Sequence, residues 1–295
     1  MPIYDYQGNP ISTGGSDSVY DWSDKKITFE GDSITANSNI GYPAYVANAL
    51  GATADVIAIP GVPVMGSYQG YDWDIRRRIS HISYNTDAIV ILGDTNSISA
   101  TDSNLFSTSM DDWTGRWNLA LNAIKKSFPT IPLFLVSCFA QGGKDNNNKY
   151  VAYAFSRFAK KHGCIYVDLS TESTMNLLYS AKTWGLSATD GVHPSHEAMP
   201  LYADVVLSHI KKTPPFAFSG SDSITIDATK SVSVGGTADI DYTITGDLSI
   251  QWTSSDYDVA CVMGGTVYGM SEGTATITAK TRNGNTATCT VTVTA

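Results

Sequence analysis

From residue 25 to residue 212, short apolar runs alternate with longer stretches in which apolar residues recur every three or four positions. The runs KITFE (26–30), ADVIAIP (54–60), DAIVILG (87–93), IPLFLVS (131–137) and CIYVDLS (164–170) are rich in Val and Ile and bounded by Gly, Pro, Asp or Ser. Such runs predict strands of a parallel sheet buried on both faces. Between them, Trp113, Trp117, Leu121 and Ile124 keep helical spacing within 111–128. Residues 149–163 repeat that pattern up to Gly163, a residue suited to ending a helix. The alternation predicts a doubly wound α/β sheet. In such sheets ligands lie beyond the carboxyl ends of the strands, so a polar residue just after a strand is placed to act.

The pattern then changes. KKTPPFAFSGSDS (211–223) carries paired prolines and small polar residues, the composition of a linker. Beyond it, strict alternation of Thr, Val and Ile between glycine turns predicts a small all-β sandwich. The expected organisation is an N-terminal extension (1–24), an α/β domain (25–212), a linker (213–221) and a β-sandwich (222–295).

Composition narrows the function. A net charge of −9 opposes nucleic-acid binding, which needs clustered Lys and Arg. The longest basic run, Arg76–Arg78, is expected to be a solvated helix face. No apolar run approaches the ~20 residues that cross a bilayer. The first residues lack the basic and apolar regions of a signal peptide, so export by that route is not expected unless a leader has been cleaved. Of four cysteines, Cys138 and Cys164 are expected as small buried hydrophobes, while Cys261 and Cys289 share one region and are a candidate pair.

Four positions follow strands or sit in a late loop: Ser33 in EGDSIT, Gly61 in IPGVPVMG, Gly93 with Asn96 in ILGDTNS, and Asp190 with His193 in TDGVHPS. Their chemistry is complementary. A serine hydroxyl needs a base within hydrogen-bond reach before it attacks. A histidine can be that base, and a carboxylate on its other nitrogen fixes the tautomer and stabilises the imidazolium. Asp190 and His193 are three residues apart, and Pro194 stiffens their loop. Amides of Ser33 and Gly61 and the Asn96 side chain could receive the developing oxyanion.

Gly-Asp-Ser after the first strand, glycine after the second, Gly…Asn after the third and a late Asp-x-x-His-Pro together resemble the SGNH (GDSL-type) hydrolases over about residues 25–212. The resemblance implies a flavodoxin-like, five-stranded parallel sheet with Ser33 as nucleophile, His193 as general base and acid, and Asp190 as orienting carboxylate. It implies an oxyanion hole of Ser33, Gly61 and Asn96, and no cofactor. The third block departs from the family's Gly-x-Asn-Asp, since Gly93-Asp94-Thr95-Asn96 sets the asparagine one residue late. Either the loop bulges and Asn96 still reaches the site, or Thr95 or Asp94 takes its place. The second block has Pro60 where the family often has asparagine. Residues 222–295, notably TVYGMSEGTATITAKT and ATCTVTV, resemble bacterial Ig-like domains of group two. That implies a spacer or adhesion module.

Rival readings exist for the same residues. Asp190, His193 and His196 form a D-x-x-H-x-x-H string of metal-ligand types, yet Glu197 beside it suits a helix N-terminus, and no metal is expected. GVPVMGSYQG (61–70) lacks the Lys and Ser/Thr of a phosphate loop. Tyr68 and Trp184 flank the crevice motifs and, with Asp32, are candidate substrate contacts; Trp113 and Trp117 are expected in the core. Aromatic faces suit a sugar ring, and no long apolar segment is present to cover a fatty chain. The expected activity is therefore hydrolysis of short acyl esters, acetyl foremost, on a glycan. The alternatives are an inactive glycan-binding or adhesion protein, or a lipase or general esterase. An extracellular, cell-surface or virion setting, with assembly through the Ig-like region, is the expected context.

Overall fold

The computed structural model describes residues 19–36, 41–61, 75–93, 110–137, 145–169, 193–194, 198–218 and 220–295. Five parallel strands form one sheet: β1 (Lys26–Glu30), β2 (Thr53–Val56), β3 (Ala88–Gly93), β4 (Leu133–Ser137) and β5 (Ile165–Val167). Their order is β2-β1-β3-β4-β5, the doubly wound, flavodoxin-like arrangement. The helices are α1 (Tyr42–Leu50), α2 (Ile75–Ile79), α3 (Met110–Ser127), α4 (Asp145–His162) and α5 (Met199–Lys211). Gly51 and Gly163 end α1 and α4 at φ 66° and 64°, a left-handed conformation that glycine adopts without steric cost.

Alternation along the strands divides the core in two. Ile89, Ile91, Leu133 and Leu135 face a layer with Trp113, Trp117, Phe155 and Phe158. Ile27, Phe29, Val90, Leu92, Phe134 and Val136 face the other, with Tyr42, Val46, Tyr202 and Val206. Trp113 and Trp117 are fully buried, as their spacing predicts. Trp22 is buried too and donates from Nε1 to the carbonyls of Ile210 (3.0 Å) and Thr213 (3.1 Å). A residue expected in an extension thus closes the core beneath α5; a lone tryptophan without periodic neighbours gives no pattern to read.

The β-rich region contains β6 (Asp222–Ile226), β7 (Thr229–Ser233), β8 (Thr237–Asp239), β9 (Tyr242–Gly246), β10 (Ile250–Ser254), β11 (Ala260–Met263), β12 (Thr266–Gly269), β13 (Gly273–Thr281) and β14 (Thr286–Thr294). Sheets β10-β13-β14-β7 and β11-β12-β8, with the pair β6-β9, enclose Trp252, Ile277 and Val291. Cys261 and Cys289 are buried on different sheets as thiols, so the candidate disulfide does not form.

This region is fastened to the α/β core. Met263 at the end of β11 joins the layer of Trp113 and Trp117. Gln251 Nε2 donates to the carbonyls of Ser80 (3.0 Å) and Ile82 (2.9 Å). Arg282 pairs with Asp87 and donates to the Thr86 carbonyl. Arg77 pairs with Asp258, and the Lys280 ammonium lies 3.9 Å from the Tyr84 ring centroid.

Candidate active site

β1 and β3 are neighbours whose following helices, α1 and α3, pack on opposite faces of the sheet. The chain therefore diverges at their carboxyl ends and leaves a crevice there. Gly31 to Ala36 form the turn that enters it from β1. The Asp32 carbonyl accepts from the amides of Thr35 (3.1 Å) and Ala36 (2.9 Å), and Asp32 Oδ1 accepts from the amide of Ile34 (3.0 Å). Ser33 stands at the apex of this bonded turn, partly buried. Asp32 is only 4% exposed, so its carboxylate shapes the turn from within.

Glycine before this turn is required by space. A Cβ on Gly31 would meet Thr35 Oγ1 and come within 2.7 Å of the Leu92 carbonyl oxygen at the end of β3. Gly31→Ala is expected to force β1 and β3 apart, destabilising the fold by about 1–3 kcal/mol. Chemical denaturation of the purified variant would measure the loss.

His193 Nε2 lies 2.7 Å from Ser33 Oγ across 160 residues of sequence. That is hydrogen-bond distance between a hydroxyl and the atom that could take its proton. Because Nε2 faces the hydroxyl, Nδ1 is the nitrogen left for an orienting carboxylate. Asp190, the expected partner, lies outside the described residues, as do Asn96, Tyr68, Trp184 and His196. Gly61 is described and adopts φ 77°, a conformation that favours glycine. Just before it, Ile57 and Ile59 donate to the carbonyls of Phe29 (3.0 Å) and Gly31 (3.2 Å). The chain after β2 thus runs alongside the serine turn.

Arg78, expected on a solvated face, is 2% exposed and lies with Nη1 3.0 Å from Glu30 Oε1, itself buried. The same nitrogen is 3.4 Å from the Gly31 carbonyl oxygen. Burial pushes the Glu30 carboxyl up to about 7; the Arg78 charge opposes the rise and that of Asp32 adds to it. A signal was present in the sequence. A glutamate ending a strand buried on both faces needs a cation, and the run Arg76–Arg78 offers three.

The GDSL-like Lipase/Acylhydrolase family matches residues 29–199, and the Bacterial Ig-like domain (group 2) matches residues 221–291. Among solved structures, the fold is similar to a catalytic mutant of an acetylxylan esterase from Geobacillus stearothermophilus, with TM-score 0.51 and 20% identity over 64% of this chain and 94% of that one. It is similar to a carbohydrate esterase family 2 enzyme with a carbohydrate binding domain from Corynascus thermopiles (Myceliophthora fergusii), with TM-score 0.50 and 18% identity over 63% and 65% of the two chains. It is also similar to a GDSL-like lipase, described as putative, from Parabacteroides merdae, with TM-score 0.50 and 19% identity over 65% and 97%. A search of curated protein sequences finds no match. The family match spans more than half of the chain and contains the Ser33 turn and His193, so this protein belongs to the GDSL-like lipase/acylhydrolase family.

Proposed function

We propose that the protein is a serine esterase that removes short acyl groups, acetyl foremost, from a polysaccharide or glycan. The observation that carries this reading is the 2.7 Å approach of His193 Nε2 to Ser33 Oγ at the sheet's switch point. In the proposed reaction His193 takes the Ser33 proton as Oγ bonds to the ester carbonyl carbon. The tetrahedral oxyanion faces the amides of Ser33 and Gly61 and the side chain of Asn96. Collapse breaks the bond to the sugar oxygen, which receives the proton from His193. A water deprotonated by His193 then attacks the acyl-serine, releasing the carboxylic acid and restoring the serine. Asp190 holds the ring through Nδ1.

The preference for acetyl groups on a carbohydrate is supported by two of the structural neighbours named above, an acetylxylan esterase and a family 2 carbohydrate esterase. A series of p-nitrophenyl esters tests it. The expected result is the highest kcat/KM at acetyl with a steady fall as the chain lengthens. Best activity at eight carbons or more would instead favour a lipase. Released acetate from a panel of acetylated polysaccharides would then identify the substrate. The Ig-like region supports an extracellular, cell-surface or virion setting, in which it would hold the esterase near its polymer.

A further inference from the structure

We propose that Arg78 is a positioning residue for the Ser33 nucleophile, paired with Glu30 and held in place through α2 by the Ig-like region. The inference rests on Ser33 being the nucleophile. The pleat of β1 sets the geometry. Ile27 and Phe29 face the α1–α5 layer, so Thr28 and Glu30 face the opposite side of the sheet. There Arg78, from α2, meets Glu30 at 3.0 Å with both side chains almost wholly buried. Two charges taken out of water gain little or nothing in stability over a well-packed apolar pair. An ion pair at this point therefore serves direction more than strength. Its direction is visible: Arg78 Nη1 lies against both the Glu30 carboxylate and the Gly31 carbonyl, three and two residues before Ser33.

Gly31 is the link that needs such a hold. Glycine has the widest backbone freedom of any residue, and a rotation of its peptide would swing the Ser33 hydroxyl away from His193. The opposite side of Gly31 is already closed by Thr35 and the Leu92 carbonyl. The Gly31 carbonyl accepts from the Ile59 amide (3.2 Å), and Arg78 on the same oxygen completes the clamp.

α2 has only five residues, far too few to be stable by itself. Its support includes the Ig-like region: Asp258 pairs with Arg77, and Gln251 holds the Ser80 and Ile82 carbonyls just after the helix. The path from sandwich to nucleophile is thus Gln251 and Asp258, then α2, then Arg78, then the Gly31 peptide. The Ig-like region is on this account a working part of the esterase as well as a possible tether.

The test compares the full-length wild type with a Glu30→Met/Arg78→Met double variant, Arg78→Lys, and the remote double variant Gln251→Ala/Asp258→Ala. Four quantities are measured: the thermal midpoint, kcat and KM for p-nitrophenyl acetate, and the rate at which a p-nitrophenyl phosphonate blocks Ser33. Replacing both charges at once leaves no orphan, so the methionine pair should melt within about 5 °C of wild type. Its kcat and its phosphonylation rate should both fall by about tenfold or more, since small misplacements of reacting groups cost up to ~10² in rate. KM should stay within about twofold, because the substrate contacts are untouched. Arg78→Lys, which keeps the charge on a shorter side chain that ends before the Nη1 position, should lose at least about threefold in kcat. The remote variant should lose kcat in the same sense, by about twofold or more.

A folded methionine pair with wild-type kcat and phosphonylation overturns the proposal. If that pair does not fold, Arg78→Lys decides, and an unchanged kcat overturns it. Loss in the Arg78 variants with no loss in the remote variant overturns the role of the Ig-like region. A Ser33→Ala variant that hydrolyses ester as fast as wild type defeats the esterase reading itself, and this inference with it.

Discussion

Ser33→Ala is expected to lower kcat for p-nitrophenyl acetate by on the order of 10⁴-fold or more, because the attacking oxygen is removed and only binding and oxyanion stabilisation remain. The fold should not suffer. Ser33 Oγ bonds to His193 on a partly buried turn, while the turn's own backbone bonds run through Asp32 and its neighbours. The thermal midpoint should therefore move by no more than about 2 °C. A double variant with His193→Ala sharpens the test. If the two side chains act as one unit, removing both should cost hardly more than removing either, since neither works alone. Multiplying losses would show that Ser33 and His193 act in separate steps. Hydrolysis by Ser33→Ala at the wild-type rate would show that catalysis does not run through Ser33.

How much of this was legible beforehand depends on the physical origin of each feature. The strands around Val90 and Phe134 are apolar on both faces because helices cover both sides of the sheet, and that leaves a direct pattern in the chain. That Ser33 and His193 lie within hydrogen-bond reach was legible because few residue types suit such a pair and the fold restricts where they stand. Gly31 was legible as part of a motif, though its reason, a Leu92 carbonyl oxygen that any Cβ would meet at 2.7 Å, appears only in three dimensions. Strand two was expected to run to Pro60 but ends at Val56; its hydrogen bonding continues through Ile57 and Ile59 outside regular strand geometry. Arg78 was misread because three consecutive arginines look alike in sequence, whereas a helix turns each about 100° from the last. One of them then faces Glu30 and its neighbour Arg77 faces Asp258. Trp22 and Arg282 were missed for a shared reason: each contacts residues nearly 200 positions away, where no local periodicity can point.

Arg282→Ala is expected to destabilise the whole protein by about 3–5 kcal/mol, the cost of leaving buried charge without its partner. The Arg282 side chain is 10% exposed, that of Asp87 7%, and that of Asp247, whose Oδ2 lies 3.8 Å from Arg282 Nε, is fully buried. The guanidinium also donates to the Thr86 carbonyl and lies 4.9 Å and 5.8 Å from the ring centroids of Phe216 and Phe218. It therefore joins three parts of the chain: the segment entering β3, the stretch after α5, and the Ig-like strands. Truncation leaves two carboxylates facing each other across the gap, one still accepting from the Lys26 amide and the other from the Ser249 amide. Their repulsion adds to the lost packing of the guanidinium on the rings. Urea denaturation should show the midpoint falling by about 1 M or more. Asp87→Asn and Asp247→Asn introduced on top of Arg282→Ala should recover a large part of the loss, since neutral amides tolerate the burial that the charges do not. If Arg282→Ala costs less than about 1 kcal/mol, the contact behaves as an exposed ion pair. The Ig-like region would then be loosely moored, and its influence on α2 and on the serine turn would fall with it.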